Sequence, residues 1–567
     1  MLRRNPHRFD SPPSQFQSSV ARTILASLLA IPLLNLAVVA QTAKNEQSKA
    51  PAIVRVTTRL VEVSALVHDK KGNPVSGLTK DDFEILDNGK PQQISLFSEK
   101  SSRPLPGKSL SLPPGTFSNR PAFQENVTTA ATVLLIDGLN TDFASQADSR
   151  NRVMDFMRQQ IRANDRIAIY LLGRDLRVVH DFSGEPSSLM ATLIQNKPNQ
   201  VSEYSEPDLV GDALMPPGTQ EAEAGRLMAF MQSEISTAYA RQRIDVTTDA
   251  IIAIANHLRN IPGRKNLIWL SAGFPLEING PLGTSFSGRA QKAARALSDA
   301  DVAIYPVDAR GLAAPDLGLV GGQVPGHPAD ALQPLGAETL GSMRFLAAQT
   351  GGSIFYNSND IALGIRKAID DSIVSYSLGF YPENRNWDGS FHDIKVRIKS
   401  GEKGLDVRSR RGYFAYPDKP RYSKARDSQI ADAISSPLDA SGVGITARIE
   451  EPVKPSSKIR FIHLNLDASA IHLEQTNGRW DGAFDIIFVQ RTAAGKVLDP
   501  SDQTMKMQLL PATYQKVMAN GYAFTKQINL APDAAEIRLI VRDTTTSEIG
   551  SLTIPLTGQV ASNRSQE

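Results

Sequence analysis

From Thr132 onward the chain alternates short unbroken apolar runs with segments whose apolar residues recur at helical spacing. Val133-Leu134-Leu135-Ile136 is such a run, as expected of a strand buried on both faces of a parallel sheet. Helical spacing follows in Val153, Phe156, Met157 and Ile161. The pattern then predicts a strand over 166–172, a short edge strand at Leu176-Arg177-Val178-Val179, and a helix marked by Ile251, Ile254, Ala255 and Leu258. Further strands are expected over 266–270, 302–307 and 353–356, with helices around 290–297, 343–349 and 360–372. Alternating β and α segments over this length imply a Rossmann-like, doubly wound α/β domain with helices on both faces of a mainly parallel sheet.

The flanks read differently. Val61, Val63, Ala65 and Val67 alternate with mostly polar neighbours, Phe83 and Ile85 alternate again, and Asp87-Asn88-Gly89 signals a hairpin. Strands are expected over 376–381, 392–398 and 405–408. Further strands near 459–466, 484–489 and 537–541 suggest a final β-sandwich, with Ala494-Gly495-Lys496 as a hairpin turn. The expected organisation is a leader over 1–40, a linker over 41–53, a small β unit over 54–100 and a linker over 101–127. The α/β domain follows over 128–382, then a β extension over 383–416, a linker over 417–437 and a β-sandwich-like domain over 438–560.

Charge adds an exclusion and the amino terminus adds a location. The 62 lysines and arginines barely exceed the 59 aspartates and glutamates, and no basic block stands out, so nucleic acid is a poor partner. Arg3, Arg4, Arg8 and Arg22 precede an apolar run from Ile24 to Val39, and Ala40 offers a cleavage point. That run holds Pro32 and Asn35 and is short for spanning about 30 Å of hydrocarbon. The expectation is an exported protein (periplasmic, secreted or envelope-associated) with no membrane span after cleavage; a retained anchor is the alternative. With no cysteine, the chain has no thiolate metal site and no cysteine nucleophile.

Ligands of open α/β sheets sit beyond the carboxyl ends of the strands. Those ends carry Asp137-Gly138-Leu139-Asn140-Thr141, Ser271-Ala272-Gly273-Phe274 and Asp308-Ala309-Arg310, and a helix opening at Thr247-Thr248-Asp249 would lie near them. Asp137 can equally cap the turn that follows it, Thr247 or Thr248 can be a helix N-cap, and Asp308 can pair locally with Arg310. Gly263-Arg264-Lys265 reads as a solvated turn.

The stretch from about Thr129 to Tyr381 resembles a von Willebrand factor A domain, in the manner of the acidobacterial-type exported proteins that carry one. The resemblance rests on Val75-Ser76-Gly77-Leu78-Thr79, on Pro262-Gly263-Arg264-Lys265-Asn266-Leu267, and on Ile304-Tyr305-Pro306-Val307-Asp308-Ala309-Arg310-Gly311. Thr350-Gly351-Gly352 and Arg411-Gly412-Tyr413 add to it. It implies a metal-ion-dependent adhesion site for Mg²⁺ or Mn²⁺, in which Asp137, Thr141 and Thr247 are the metal ligands and an acidic group of a protein partner completes the shell. The sequence departs from that pattern where Leu139 and Ala272 stand, since neither offers a ligating oxygen. Asn140, Asp142, Ser271 or Asp308 would have to compensate.

Enzyme signatures are missing: there is no Gly-x-Ser-x-Gly elbow, no His-Glu-x-x-His and no histidine pair at helical spacing. The expectation is therefore an interaction or envelope-assembly protein rather than an enzyme. It would bind a protein partner through Asp137, Asn140, Thr141, Asp142, Thr247, Ser271, Phe274 and Asp308, with the stretch 202–225 as a lid or recognition loop. The alternatives are a metal-free scaffold whose C-terminal β domain makes the contacts, and an uncharacterised hydrolase.

Overall fold

The computed structural model describes residues 60–556 except 102–111, 121–122, 124–130, 163–164, 197–219, 262, 275–276, 279–283, 312–334, 359, 384–386, 400–403, 416–422 and 451–457. The expected leader, the linker at 41–53, most of the proposed lid and the loop after Gly311 lie outside the described residues.

The apolar runs form the expected sheet, except that the strand expected over 353–356 is reduced to a single parallel bridge from Phe355 to Val307. Its five strands lie in the order Val302–Asp308, Lys265–Ser271, Ala131–Asp137, Ile167–Leu172 and Leu176–Ser183. The first four are parallel and the last is antiparallel. Every residue of Lys265–Ser271 is buried, because helices cover both faces. On one face pack α1 (Phe143–Gln159), α2 (Pro186–Gln195) and α6 (Ile361–Asp370). On the other pack α3 (Gln220–Leu258), α4 (Ser287–Asp299) and α5 (Leu335–Thr350). Each fully buried Leu, Ile or Val contributes about 1.5–3 kcal/mol, so these two layers dominate the stability of the domain.

α3 runs for 39 residues, so Thr247 and Thr248 sit inside a helix rather than at its N-cap. Their hydroxyls donate to the carbonyls of Arg243 and Ile244 one turn back, at 2.7 and 2.8 Å. Gly352 explains the Thr-Gly-Gly phrase: a Cβ there would lie 1.8 Å from the Ile304 carbonyl oxygen. Thr350 Oγ1 meanwhile accepts from the Ile304 backbone N–H at 3.1 Å.

Arg264 and Lys265 are only 2% and 3% exposed, which overturns the reading of a solvated turn. Arg264 donates to the Gly351 carbonyl at 2.9 Å, and Lys265 Nζ donates to the Ile261 carbonyl at 3.0 Å. Burial pushes the Lys265 ammonium down from 10.5 to about 8, against a pull upward from Asp301. The unfolded chain thus binds more protons between those two values, and stability rises with pH across that window. Below pH 8 the cost of charging the buried amine is constant. Relative to Lys265→Met, the wild-type unfolding free energy should climb by up to about 3 kcal/mol between pH 8 and 10.5 in urea melts. A flat difference would show that the amine is not desolvated.

The β segments on either side of the α/β domain form one unit. Val61–His68 pairs with both Val374–Phe380 and Asp406–Ser409, and Phe83–Asp87 pairs with Phe391–Ile398. Two four-stranded sheets enclose a core that includes Val63, Phe83, Ile85, Tyr376, Leu378 and Ile394. The α/β domain is thus inserted between the halves of a sandwich, and Val374–Phe380 belongs to that sandwich rather than to the α/β domain. Within the sandwich core, Asp87 accepts from Tyr413 at 3.0 Å and lies 2.9 Å from His392 Nδ1. A Cβ at Gly412 would lie 2.0 Å from the His392 carbonyl, so Arg-Gly-Tyr lets these two strands close.

The C-terminal region is also two sheets around a shared core, built on Phe484, Ile486, Ile537, Leu539 and Val541 together with Ile445, Ile462 and Leu464. The expected linker over 101–127 lends it an edge strand, Thr116–Ser118, paired with Ile445–Ile449. The linker over 417–437 is largely α7 (Ser423–Ser435). Beyond it, Ser441 accepts at its carbonyl from Asn260 Nδ2, and Arg259 at the end of α3 pairs with Glu548 at 2.8 Å. These bonds fasten the α/β domain to the C-terminal sheets. Among the described residues, no helix is long and apolar enough to cross a membrane.

Candidate functional site

Asp137 ends the central strand and is wholly buried, and among the described residues it is held by five hydrogen-bond donors with no ion pair to it. Oδ1 accepts from the backbone N–H groups of Leu139 and Asn140 at 3.1 and 3.0 Å. Oδ2 accepts from Asn140 Nδ2 at 2.8 Å, Trp269 Nε1 at 3.0 Å and Ser271 Oγ at 2.7 Å. Burial pushes the carboxyl above its ordinary range, and the donors from Asn140, Ser271 and Trp269 pull it back.

The parallel register explains this convergence. Leu135 stands opposite Trp269 and Ile136 opposite Leu270, so Asp137, Trp269 and Ser271 emerge on the same side of adjacent strands. The Asn140 amide also donates to Thr247 Oγ1 at 2.7 Å, which ties the loop to α3. Thr141 Oγ1 accepts from the Ala272 backbone N–H at 3.2 Å, and Ser271 Oγ accepts from Gly273 at 2.9 Å. Gln146, on α1, closes the loop from below by donating to the carbonyls of Gly138 and Thr141 at 3.0 and 2.7 Å.

The structure brings Asp137, Asn140, Thr141, Thr247 and Ser271 together and leaves three expected residues outside the cluster. Asp308 is held by Arg310, which donates from Nε and Nη2 to its two carboxylate oxygens, both at 2.9 Å. Asp142 is the N-cap of α1 and accepts from Ser145 N–H at 2.9 Å. Phe274 is 1% exposed and packs against Trp269 with ring centroids 5.8 Å apart, so it presents no face to a partner. Asp137, Thr247 and Ser271 are equally enclosed, leaving Asn140 and Asp142 as the accessible members of the expected set. Trp269 and Gln146 escaped the sequence reading. The i, i+2 spacing of Trp269 and Ser271 at the end of a buried strand was the available signal for the first.

These residues do not fit a divalent ion. A hard cation needs oxygen lone pairs converging on one point. Here N–H and O–H hydrogens converge on the lone carboxylate, while Thr247 donates to Arg243 and accepts from Asn140. Leu139 is 7% exposed and packed into the core. No group of three or more Asp, Glu, His or Cys side chains suited to a metal exists among the described residues.

Fold and site together define an α/β domain, flanked by β domains, whose sheet-top loops are tied to one buried carboxylate. No protein-family model matches the chain, and no curated protein matches it. Among solved structures, an aerotolerance-related membrane protein from Bacteroides fragilis is similar over 43% of this chain and 98% of its own, at 14% identity and a TM-score of 0.24. BatB from Bacteroides thetaiotaomicron covers the same shares at 13% identity and a TM-score of 0.24. The pilus adhesin SpaC from Lactobacillus rhamnosus GG is similar over 83% of this chain and 58% of its own, at 10% identity and a TM-score of 0.25. Similarity at this level assigns neither a family nor a function.

Proposed function

We propose that this chain is an exported interaction protein whose α/β domain, of the von Willebrand factor A type, binds a protein partner at the carboxyl end of its sheet without catalysing a reaction. The observation that carries this reading is a set of large apolar side chains exposed at that end. Phe143, which opens α1 directly after the Asp137 loop, is 50% exposed. Leu363, in the first turn of the neighbouring α6, is 46% exposed. Tyr356 follows Phe355, which is bridged in parallel to Val307, and is 44% exposed beneath the Arg344 guanidinium at 4.9 Å. Aromatic and apolar side chains left in water beside a rigid polar scaffold are the usual anchors of a protein interface. The leader-like residues 1–40 support export.

A second reading, in which the C-terminal domain makes the contacts, has its own support. Phe461, Leu510 and Met518 are exposed there at 41%, 52% and 37%. Crosslinking in the native envelope fraction separates the two. A photoreactive side chain at Phe143 or Tyr356 of the full chain should trap a discrete partner, and Phe143→Asp should weaken capture by about tenfold or more. Trapping only from Phe461 or Met518 would transfer recognition to the C-terminal domain.

A further inference from the structure

Three segments meet at the head of the sheet: the Asp137 strand end, the loop at Asn140, and α3 at Thr247. Both hydrogens of the Asn140 amide are used in joining them, one to Asp137 Oδ2 at 2.8 Å and one to Thr247 Oγ1 at 2.7 Å. These are two of the oxygens that the family resemblance would have a divalent ion bridge. Turned over, the amide would set its oxygen against the carboxylate, so its neighbours dictate its orientation. Trp269 and Ser271 donate to the same carboxylate oxygen, and Leu139 faces the core in place of an oxygen ligand.

The geometry points to Asn140 as a built-in substitute for the ion: a neutral two-hydrogen bridge that holds loop, strand and α3 in one arrangement at any divalent-ion concentration. A cation entering this point would meet the positive ends of three donors and would have to expel the amide, leaving it without acceptors. Recognition at the sheet top is then led by apolar burial on Phe143 and its neighbours rather than by a partner carboxylate coordinated to a metal. That consequence rests on the function proposed above, whereas the test below needs no partner, so the two ideas fail separately.

The experiment is thermal unfolding of the full chain, wild type and Asn140→Asp, in EDTA and in about 1 mM Mn²⁺ or Mg²⁺, with Mn²⁺ binding followed by electron paramagnetic resonance. The wild type should keep the same midpoint in all conditions and leave the aqueous Mn²⁺ signal unchanged. Asn140→Asp sets a second carboxylate beside Asp137. It should melt lower in EDTA and regain on the order of 5 °C, saturably, with Mn²⁺. Saturable Mn²⁺ binding by the wild type, abolished in Asp137→Asn, would overturn the inference. So would an Asn140→Asp protein that folds but ignores the ion. If Asn140→Asp fails to fold, the Mn²⁺ titration of the wild type decides alone.

Discussion

Asp137→Ala is expected to lower the stability of the α/β domain by about 3–5 kcal/mol, whatever it does to partner binding. The side chain lost is a fully buried carboxylate that satisfies two backbone N–H groups, an indole N–H, an amide and a hydroxyl. Each donor left unsatisfied costs about 1–3 kcal/mol, and water entering the vacated space recovers part of that. The Asn140 amide also loses one of its two acceptors, so the tie between loop and α3 weakens. Trp269 is a built-in reporter, because its indole N–H bonds directly to the deleted group. Urea unfolding read from Trp269 fluorescence, with Trp387 and Trp480 replaced by Phe, should show an earlier midpoint and an altered native emission. A change below about 1 kcal/mol would mean that the network is open to solvent.

The second large effect is expected at Arg538, whose side chain is 0% exposed in the middle of the C-terminal sheet. Its guanidinium donates to the carbonyls of Ala433 and Leu438, both at 2.7 Å, and to Asp439 Oδ1 at 3.0 Å. It also donates to Thr553 Oγ1 at 2.7 Å and Ser551 Oγ at 3.0 Å. Burial pushes the guanidinium below its usual range, with Asp439 opposing. Removing one partner of a buried pair strands the others, so Arg538→Met should cost about 3–5 kcal/mol. Arg538→Lys should recover little of that, since an ammonium cannot reach carbonyls and hydroxyls spread around a planar fork. Because Ala433 lies in the last turn of α7 and Leu438 just beyond its end, the loss should loosen α7 as well. Trp480, stacked on Tyr514 in this domain with centroids 4.0 Å apart, reports the transition. Full rescue by lysine would show that only the charge matters.

Legibility in the sequence followed the range of the interactions involved. Strands such as Ala131–Asp137 and Val302–Asp308 were readable because burial on both faces demands an unbroken apolar run. The reach of α3 was not readable. Thr247-Thr248-Asp249 before an apolar stripe is a plausible helix start, but the helix runs straight through it and the two hydroxyls turn back to the carbonyls of Arg243 and Ile244 instead of capping a new helix. Tyr522–Asn529 and Val497–Leu509 carry many polar residues and lie partly in water, which hid them as strands. Arg264 and Lys265 look like a surface turn until the carbonyls that receive their hydrogens are known. In the candidate site, position at the predicted strand ends points to the stretches holding Asp137, Asn140, Thr141 and Ser271, while the singling out of Asp137, Thr141 and Thr247 rests on the family resemblance. Trp269 was missed because an indole at a strand end reads as core.

By itself the sequence determined the alternation of strand and helix, the β character of both flanks, the placing of Asp137 at a strand end and the absence of any cysteine. Those properties are local: they depend on period, run length and residue type. Only the tertiary structure decided that Val61–His68 pairs with Val374–Phe380 across the inserted α/β domain, because strand pairing is chosen by packing between segments far apart in the chain. It also decided what Asp137 bonds to. A carboxylate at a sheet top can hold an ion or a cluster of N–H donors, and the choice turns on distances of about 3 Å to side chains from separate strands and helices.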